Sequence, residues 1–152
     1  MSVEKVKEFL KQNNKEVEIL TFKDTSTVAK AAESLGVTPG EIAKSLLFKV
    51  NDRFVMILTA GDKRIDNRKF KDIFNTKAKM PEADEVVAVT GHPVGGVCPF
   101  GLLQSLPIYL DYSLQAHTRI FPAAGASNTA IKLSVEELEE LTDGQWIDVI
   151  QA

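Results

Sequence analysis

Cys98 is the only cysteine in the chain, which excludes an internal disulfide and a multi-cysteine metal site. Long apolar runs are missing too. The longest, such as Phe54-Val55-Met56-Ile57-Leu58, fall far short of the roughly 20 residues that a membrane span requires. The opening segment, Met-Ser-Val-Glu-Lys-Val-Lys-Glu, has no apolar signal core, so a cytoplasmic protein is expected, with no membrane partner. There is no basic tract: the net charge is −3 and the pI near 5.4. A protein that grips a long stretch of nucleic acid carries a basic face, because phosphate neutralisation dominates that affinity. A nucleic-acid substrate is therefore expected to be touched over a short end, held weakly, or delivered by a partner, and DNA is not an expected ligand. No Asp, Glu or His cluster has the spacing of a zinc or calcium site, so neither metal nor cofactor is expected. Internal repeats, low-complexity segments and linkers are absent as well.

What is present is the composition of an ordinary globule, 44% hydrophobic and 26% charged over 152 residues, enough for one domain spanning 1–152. Ser2 can cap a helix through about Asn13, with Val3, Val6, Phe9 and Leu10 on one side. Val17 to Phe22 alternates like a half-buried strand. Thr25, Ser26 and Thr27 offer caps for a helix carrying Val28, Ala31, Ala32 and Leu35, stopped by Gly36. Thr38-Pro39-Gly40-Glu41-Ile42 predicts a short helical turn. Ser45–Val50 and Arg53–Thr59 flank Asn51-Asp52 and predict a hairpin. Asp66 opens a helix with Phe70, Ile73 and Phe74, and Glu82 to Val89 is assigned to helix because Pro81 and three acids precede its valines. Strands are expected at Pro107–Leu110, Thr118–Phe121, Thr129–Leu133 and Trp146–Ile150, with a capped acidic helix starting at Ser134. Short consecutive strands with scattered helices make a mixed α/β domain whose sheet is antiparallel or mixed.

The most informative stretch is Thr90-Gly91-His92-Pro93-Val94-Gly95-Gly96-Val97-Cys98-Pro99-Phe100-Gly101, with four glycines and two prolines in twelve residues. Such a run is neither ordinary helix nor ordinary strand. It is either a long tight turn or a backbone cradle that bares N–H groups to a carbonyl or phosphate oxygen, with Gly95 and Gly96 leaving the approach open and Pro99 stiffening it. Lys44, at the entrance of Ser45-Leu46-Leu47-Phe48, is either a strand-edge charge or a cation aimed into a cleft beside that loop. Cys98 suggests a nucleophile, but it would need His92 or His117 as base, and the spacing does not bring them together. His92 is either a solvent-facing turn residue or a hydrogen-bonding group at the pocket rim, and His117 is expected at the surface. A second small-residue loop, Ala123-Ala124-Gly125-Ala126-Ser127-Asn128, is a hairpin connection or a place where Gly125 and Ala126 allow close approach and Ser127 or Asn128 binds a polar group. In Gly61-Asp62-Lys63-Arg64-Ile65-Asp66, a loop and helix cap are expected, with ion pairs available to fix the cleft.

Lys44 before Ser-Leu-Leu-Phe, the glycine loop, and the Ala-Gly-Ala-Ser-Asn loop before Ala130-Ile131-Lys132-Leu133 together resemble the YbaK/ProX family of free-standing aminoacyl-tRNA deacylases, relatives of the editing insertion of bacterial prolyl-tRNA synthetases. The resemblance covers nearly the whole chain in the same order. It implies a mixed, partly barrel-like sheet flanked by helices, and removal of a wrong amino acid from tRNA, most often tRNA for proline. The family's Gly-x-x-x-Pro element falls on Gly95 to Pro99, so Val97 and Cys98 lie inside it, and its functional lysine falls on Lys44. The loop that holds the aminoacyl group maps onto Gly125 to Asn128. Cys98 stands where family members often carry serine or another small residue. The partners implied are the 3′ acceptor end of aminoacyl-tRNA and, through it, prolyl-tRNA synthetase. Two rivals remain at this level: a non-catalytic module that binds an amino acid or aminoacyl-tRNA, and a thiol hydrolase built on Cys98.

Overall fold

The computed structural model describes residues 2–22 and 27–152. Thr25 and Ser26, two of the three expected helix caps, lie outside the described residues. The third, Thr27, accepts the Lys30 N–H at 3.1 Å and caps the helix.

In chain order the elements are α1 (Ser2–Gln12), β1 (Ile19–Thr21), α2 (Val28–Leu35), a 3₁₀ turn (Pro39–Glu41), β2 (Ile42–Val50), β3 (Arg53–Ala60), α3 (Asn67–Phe74), α4 (Ala83–Thr90), β4 (Ile108–Asp111), a second 3₁₀ turn (Tyr112–Ala116), β5 (Arg119–Pro122), β6 (Thr129–Ile131), β7 (Leu133–Ser134), α5 (Val135–Thr142) and β8 (Gln145–Ile147). A six-stranded mixed sheet in the order β7-β5-β2-β3-β4-β8 curls into a half-barrel, and β1 pairs with β6 beside it. The expected mixed α/β class with a partly barrel-like sheet is what the chain adopts.

The β2–β3 hairpin is its spine, eight antiparallel pairs from Ala43↔Ala60 to Val50↔Arg53, turned by Asn51 in the left-handed region at φ 56°. Aliphatic side chains on both strands bury against helices on one side and the loops on the other; Met56, Ile57 and Leu58 are fully buried. α3 is riveted to the sheet by its aromatics: Phe70 lies 5.0 Å from Phe48 and 4.6 Å from Phe74, which meets Tyr109 edge-on. Asp66 caps it through the Arg68 and Lys69 N–H groups. Glu82–Val89 is helical, as α4, because Glu82 and Glu85 close a capping box ahead of the valines.

Two expectations are corrected. Thr129–Leu133 is not one strand: β6 pairs with β1 and β7 with β5, so the chain changes sheets at Lys132. Ser2 does not cap α1 from outside. It lies within the helix, and its hydroxyl crosses to His92 Nδ1.

Candidate functional site

β5 runs parallel to β2 only at Ile42 and Ala43, then diverges. A cavity of about 530 Å³ fills the gap, roofed by α2 and α4. Six consecutive residues of β2, Ile42 to Leu47, line it. Side chains on a strand point alternately to opposite faces, so a cavity that touches six in a row meets the strand edge-on. The main chain of β2 is therefore part of the site, a contribution that residue types alone do not announce. The walls are mostly aliphatic and aromatic, including Ala31, Leu35, Val86 and Phe121, with a few hydroxyl side chains, and Lys44 is the one charged side chain lining the cavity among the described residues.

Lys44 is half-buried on that edge, and its ammonium donates to the Lys63 carbonyl. Burial lowers its pKa first, the Arg64 guanidinium lowers it further, and Asp62 partly offsets both. This is a partly desolvated cation rather than a solubilising edge charge. Beside it on β2, the Ser45 hydroxyl is the one buried side-chain polar atom without a partner among the described residues.

The glycine loop divides. Gly95, Val97 and Val94 line the cavity. Gly95 sits at φ 94°, exposed, in a conformation that favours glycine. Among the described residues, the N–H groups of Gly95 and Val97 make no hydrogen bond. Gly96 turns the other way. It is buried, its N–H donates to Pro93 O at 2.9 Å, and its carbonyl accepts from Gly125 N at 3.1 Å. A Cβ at Gly96 would stand 2.6 Å from Ala126 N, so this glycine exists to let the second small-residue loop press against the first. The expected donor pair at Gly95 and Gly96 is corrected on this point: Gly96 has no N–H to offer a ligand.

The second loop divides likewise. Ser127 is exposed and lines the cavity opposite Gly95. Gly125 and Ala126 form the contact with Gly96. Thr129 shapes the turn, its hydroxyl donating to Ala126 O and accepting from the Ala124 and Ala126 N–H groups. Asn128 fixes β1 by accepting the Phe22 N–H at 3.0 Å. Gly125, Ala126 and Asn128 are not among the cavity's lining residues.

Nor are His92, Cys98 and Pro99. His92 is fully buried, neither turn-exposed nor at a pocket rim, because both ring nitrogens are engaged inside. Nε2 donates to Phe100 O at 2.7 Å, since a carbonyl only accepts, and Nδ1 accepts from the Ser2 hydroxyl. Burial lowers its pKa, which suits this neutral tautomer. Cys98 Sγ does lie 3.5 Å from Nε2, a contact the sequence spacing gave no reason to expect. That nitrogen already carries a proton, and burial pushes the thiol up to about 12. The pair is inert at neutral pH. Pro99 lines a separate groove of about 420 Å³ between α1 and α5. His117 is half-buried against Gly40.

Residues 23–141 match the model of the aminoacyl-tRNA editing domain. The chain belongs to that family. The enzyme class implied by the resemblance, an aminoacyl-tRNA deacylase, holds at this level. Among relatives of this editing domain, YwhH of Bacillus subtilis, an uncharacterised protein, is 44% identical over 98% of this chain and 97% of its own length. EbsC of Enterococcus faecalis, a candidate Cys-tRNA(Pro)/Cys-tRNA(Cys) deacylase, is 31% identical over 89% of this chain and 84% of its own. The crystal structure of a candidate trans-editing enzyme for prolyl-tRNA synthetase superposes with a TM-score of 0.93 at 27% identity, covering 99% of this chain and 98% of that one. No helix among the described residues of this editing domain is long and apolar enough to cross a membrane.

Proposed function

We propose that this editing domain removes alanine or cysteine wrongly esterified to tRNA for proline, acting on the free aminoacyl-tRNA rather than within a synthetase. The observation that carries the reading is the meeting of Lys44, Gly95, Val97 and Ser127 on one cavity. Their positions match the lysine and the two loops on which the family resemblance rests. The related candidate deacylase and trans-editing enzyme support the choice of tRNA.

An aminoacyl ester is already activated, so its hydrolysis needs positioning and stabilisation of the developing oxyanion more than a strong protein nucleophile. The free N–H groups of Gly95 and Val97 are the donors for that oxyanion, each worth roughly 3 kcal/mol by comparison with other such sites. Lys44 binds the terminal phosphate or orients the ester. The attacking group comes from the substrate side: the neighbouring ribose hydroxyl, the thiol of a misattached cysteine, or a water that they orient. The aliphatic walls favour a small, uncharged amino-acid side chain. Prolyl-tRNA synthetase is the proposed source of the misacylated substrate.

Incubation with a panel of mischarged tRNAs tests this reading. Release of alanine or cysteine from tRNA for proline is expected, and Lys44→Ala is expected to slow it by at least about 100-fold with the fold intact by circular dichroism. Unchanged turnover would remove the lysine from the mechanism. Binding of aminoacyl-tRNA without any hydrolysis would favour the non-catalytic module.

A further inference from the structure

The segment 63–79 carries seven lysines and arginines against two aspartates, a net charge of +5 in a chain whose total is −3. Spread out rather than run together, these cations escape a search for a basic tract: Arg68, Lys69 and Lys71 lie on α3, Lys63 and Arg64 on the segment before it, and Lys77 and Lys79 on the chain that follows. Two are already engaged: Lys69 pairs with Asp148 at 3.1 Å, and Lys79 lies in the field of Glu85. The other five, Lys63, Arg64, Arg68, Lys71 and Lys77, are exposed and make no ion pair among the described residues. On α3, Arg68 and Lys71 stand three residues apart on the face turned away from buried Phe70. The aromatic anchors on the opposite face fix α3 against the sheet.

The segment also frames the cavity. Its first residue gives Lys44 its hydrogen-bonding carbonyl, and Met80 and Pro81, directly after its last, line the cavity wall. A polyanion entering the cavity by one end would lay its remaining charges along this segment. The nearest acidic cluster, Glu82, Asp84 and Glu85 at the α4 start, adjoins only the Lys79 end of the segment, and a second, Glu136, Glu137, Glu139 and Glu140, lies on α5.

We infer that the 63–79 face receives the phosphodiester backbone of duplex RNA adjoining the 3′ end held in the cavity. The inference rests on the deacylase reading and extends it from the terminal nucleotide to the acceptor stem. Regular phosphates need spaced cations on a rigid element and no complementary pocket, which is what this face offers.

Arg68→Glu/Lys71→Glu, two exposed residues away from the cavity, tests it with two substrates and a binding assay. With aminoacyl-tRNA, kcat/KM is expected to fall at least about tenfold, mainly through KM, and to lose much of its salt dependence. With an aminoacyl ester of the bare CCA trinucleotide, turnover is expected to match the parent protein. Arg68→Gln/Lys71→Gln is expected to give a smaller loss of the same kind. Binding of an uncharged acceptor-stem duplex, followed by fluorescence anisotropy, should weaken in parallel, and this readout does not depend on catalysis. Equal turnover of tRNA by variant and parent, or equal binding of the duplex, would overturn the inference and leave the face to an acidic protein surface. An equal loss on the trinucleotide ester would also overturn it, since the change would then act through the cavity. A parent protein that binds the duplex through this face but hydrolyses neither ester would sink the deacylase reading and not the surface.

Discussion

The outer and inner halves of the glycine loop are alike in composition and opposite in chemistry. Val94, Gly95 and Val97 border the cavity, and Gly95 and Val97 keep their N–H groups unpaired. Cys98, Phe100 and His92 are fully buried, with the imidazole bonded at both nitrogens. A thiol beside a histidine reads as a nucleophile and base until burial is considered. Desolvation disfavours both thiolate and imidazolium, so this pair packs while the bare main chain next to it is free to bind. The inner half positions the outer one. The Thr90 hydroxyl donates to the Val86 carbonyl in the last turn of α4 and accepts the His92 N–H, and His92 in turn ties Ser2 of α1 to the Phe100 carbonyl.

That division can be broken most severely at His92. His92→Ala removes two buried hydrogen bonds and leaves a void, and a loss of roughly 2–4 kcal/mol in urea unfolding is expected, with activity falling alongside. If activity were lost with stability unchanged, His92 would act directly in the chemistry. The same residue sets a pH dependence. Its folded pKa lies below the ordinary 6.5, so its contribution to stability is present above that value and is lost as pH falls through the lowered folded one. Acid unfolding of His92→Gln should show less of this decline than the parent.

Gly96→Ala tests the contact between the loops. The added carbon would meet Ala126 N at 2.6 Å, and a cost of about 1–3 kcal/mol in thermal or urea unfolding is expected. Activity should fall too, because Gly95 and Ser127 would separate. A fully stable variant would show that the two loops adjust independently.

The pH profile of turnover separates the cavity lysine from ordinary ones. Its ammonium is held below the usual lysine range by burial and Arg64, so the alkaline limb of kcat/KM should begin below that range and vanish in Lys44→Ala. A limb at the ordinary lysine value would mean that another group titrates. The smallest effect is expected at Cys98. Cys98→Ala should leave turnover within about threefold of the parent, measured with alanyl-tRNA to avoid a substrate thiol; a collapse would restore the thiol mechanism.

Much of this architecture was legible because it is local. The β2–β3 hairpin, the Asp66 cap of α3, the Gly36 stop of α2 and the Ser134 capping box each follow from a few neighbouring residues. The split of residues 129–133 between two sheets was not, since either pairing suits the same alternating chain. Within the site, the family resemblance pointed to Lys44, Gly95 and Ser127. It could not separate Gly95 from Gly96, because which of two adjacent glycines faces a ligand depends on what packs behind them.

By itself, the order of residues determined the mixed α/β class, the helix caps and the two small-residue loops, since backbone conformational preference and side-chain periodicity are local properties. Tertiary structure alone decided that Cys98 is an inert packed thiol, that β2 meets the cavity with its edge, and that the segment carrying the cations between Lys63 and Lys79 borders that cavity. Burial, hydrogen-bond partners and electric fields depend on residues far away in the chain, and only folding brings those together.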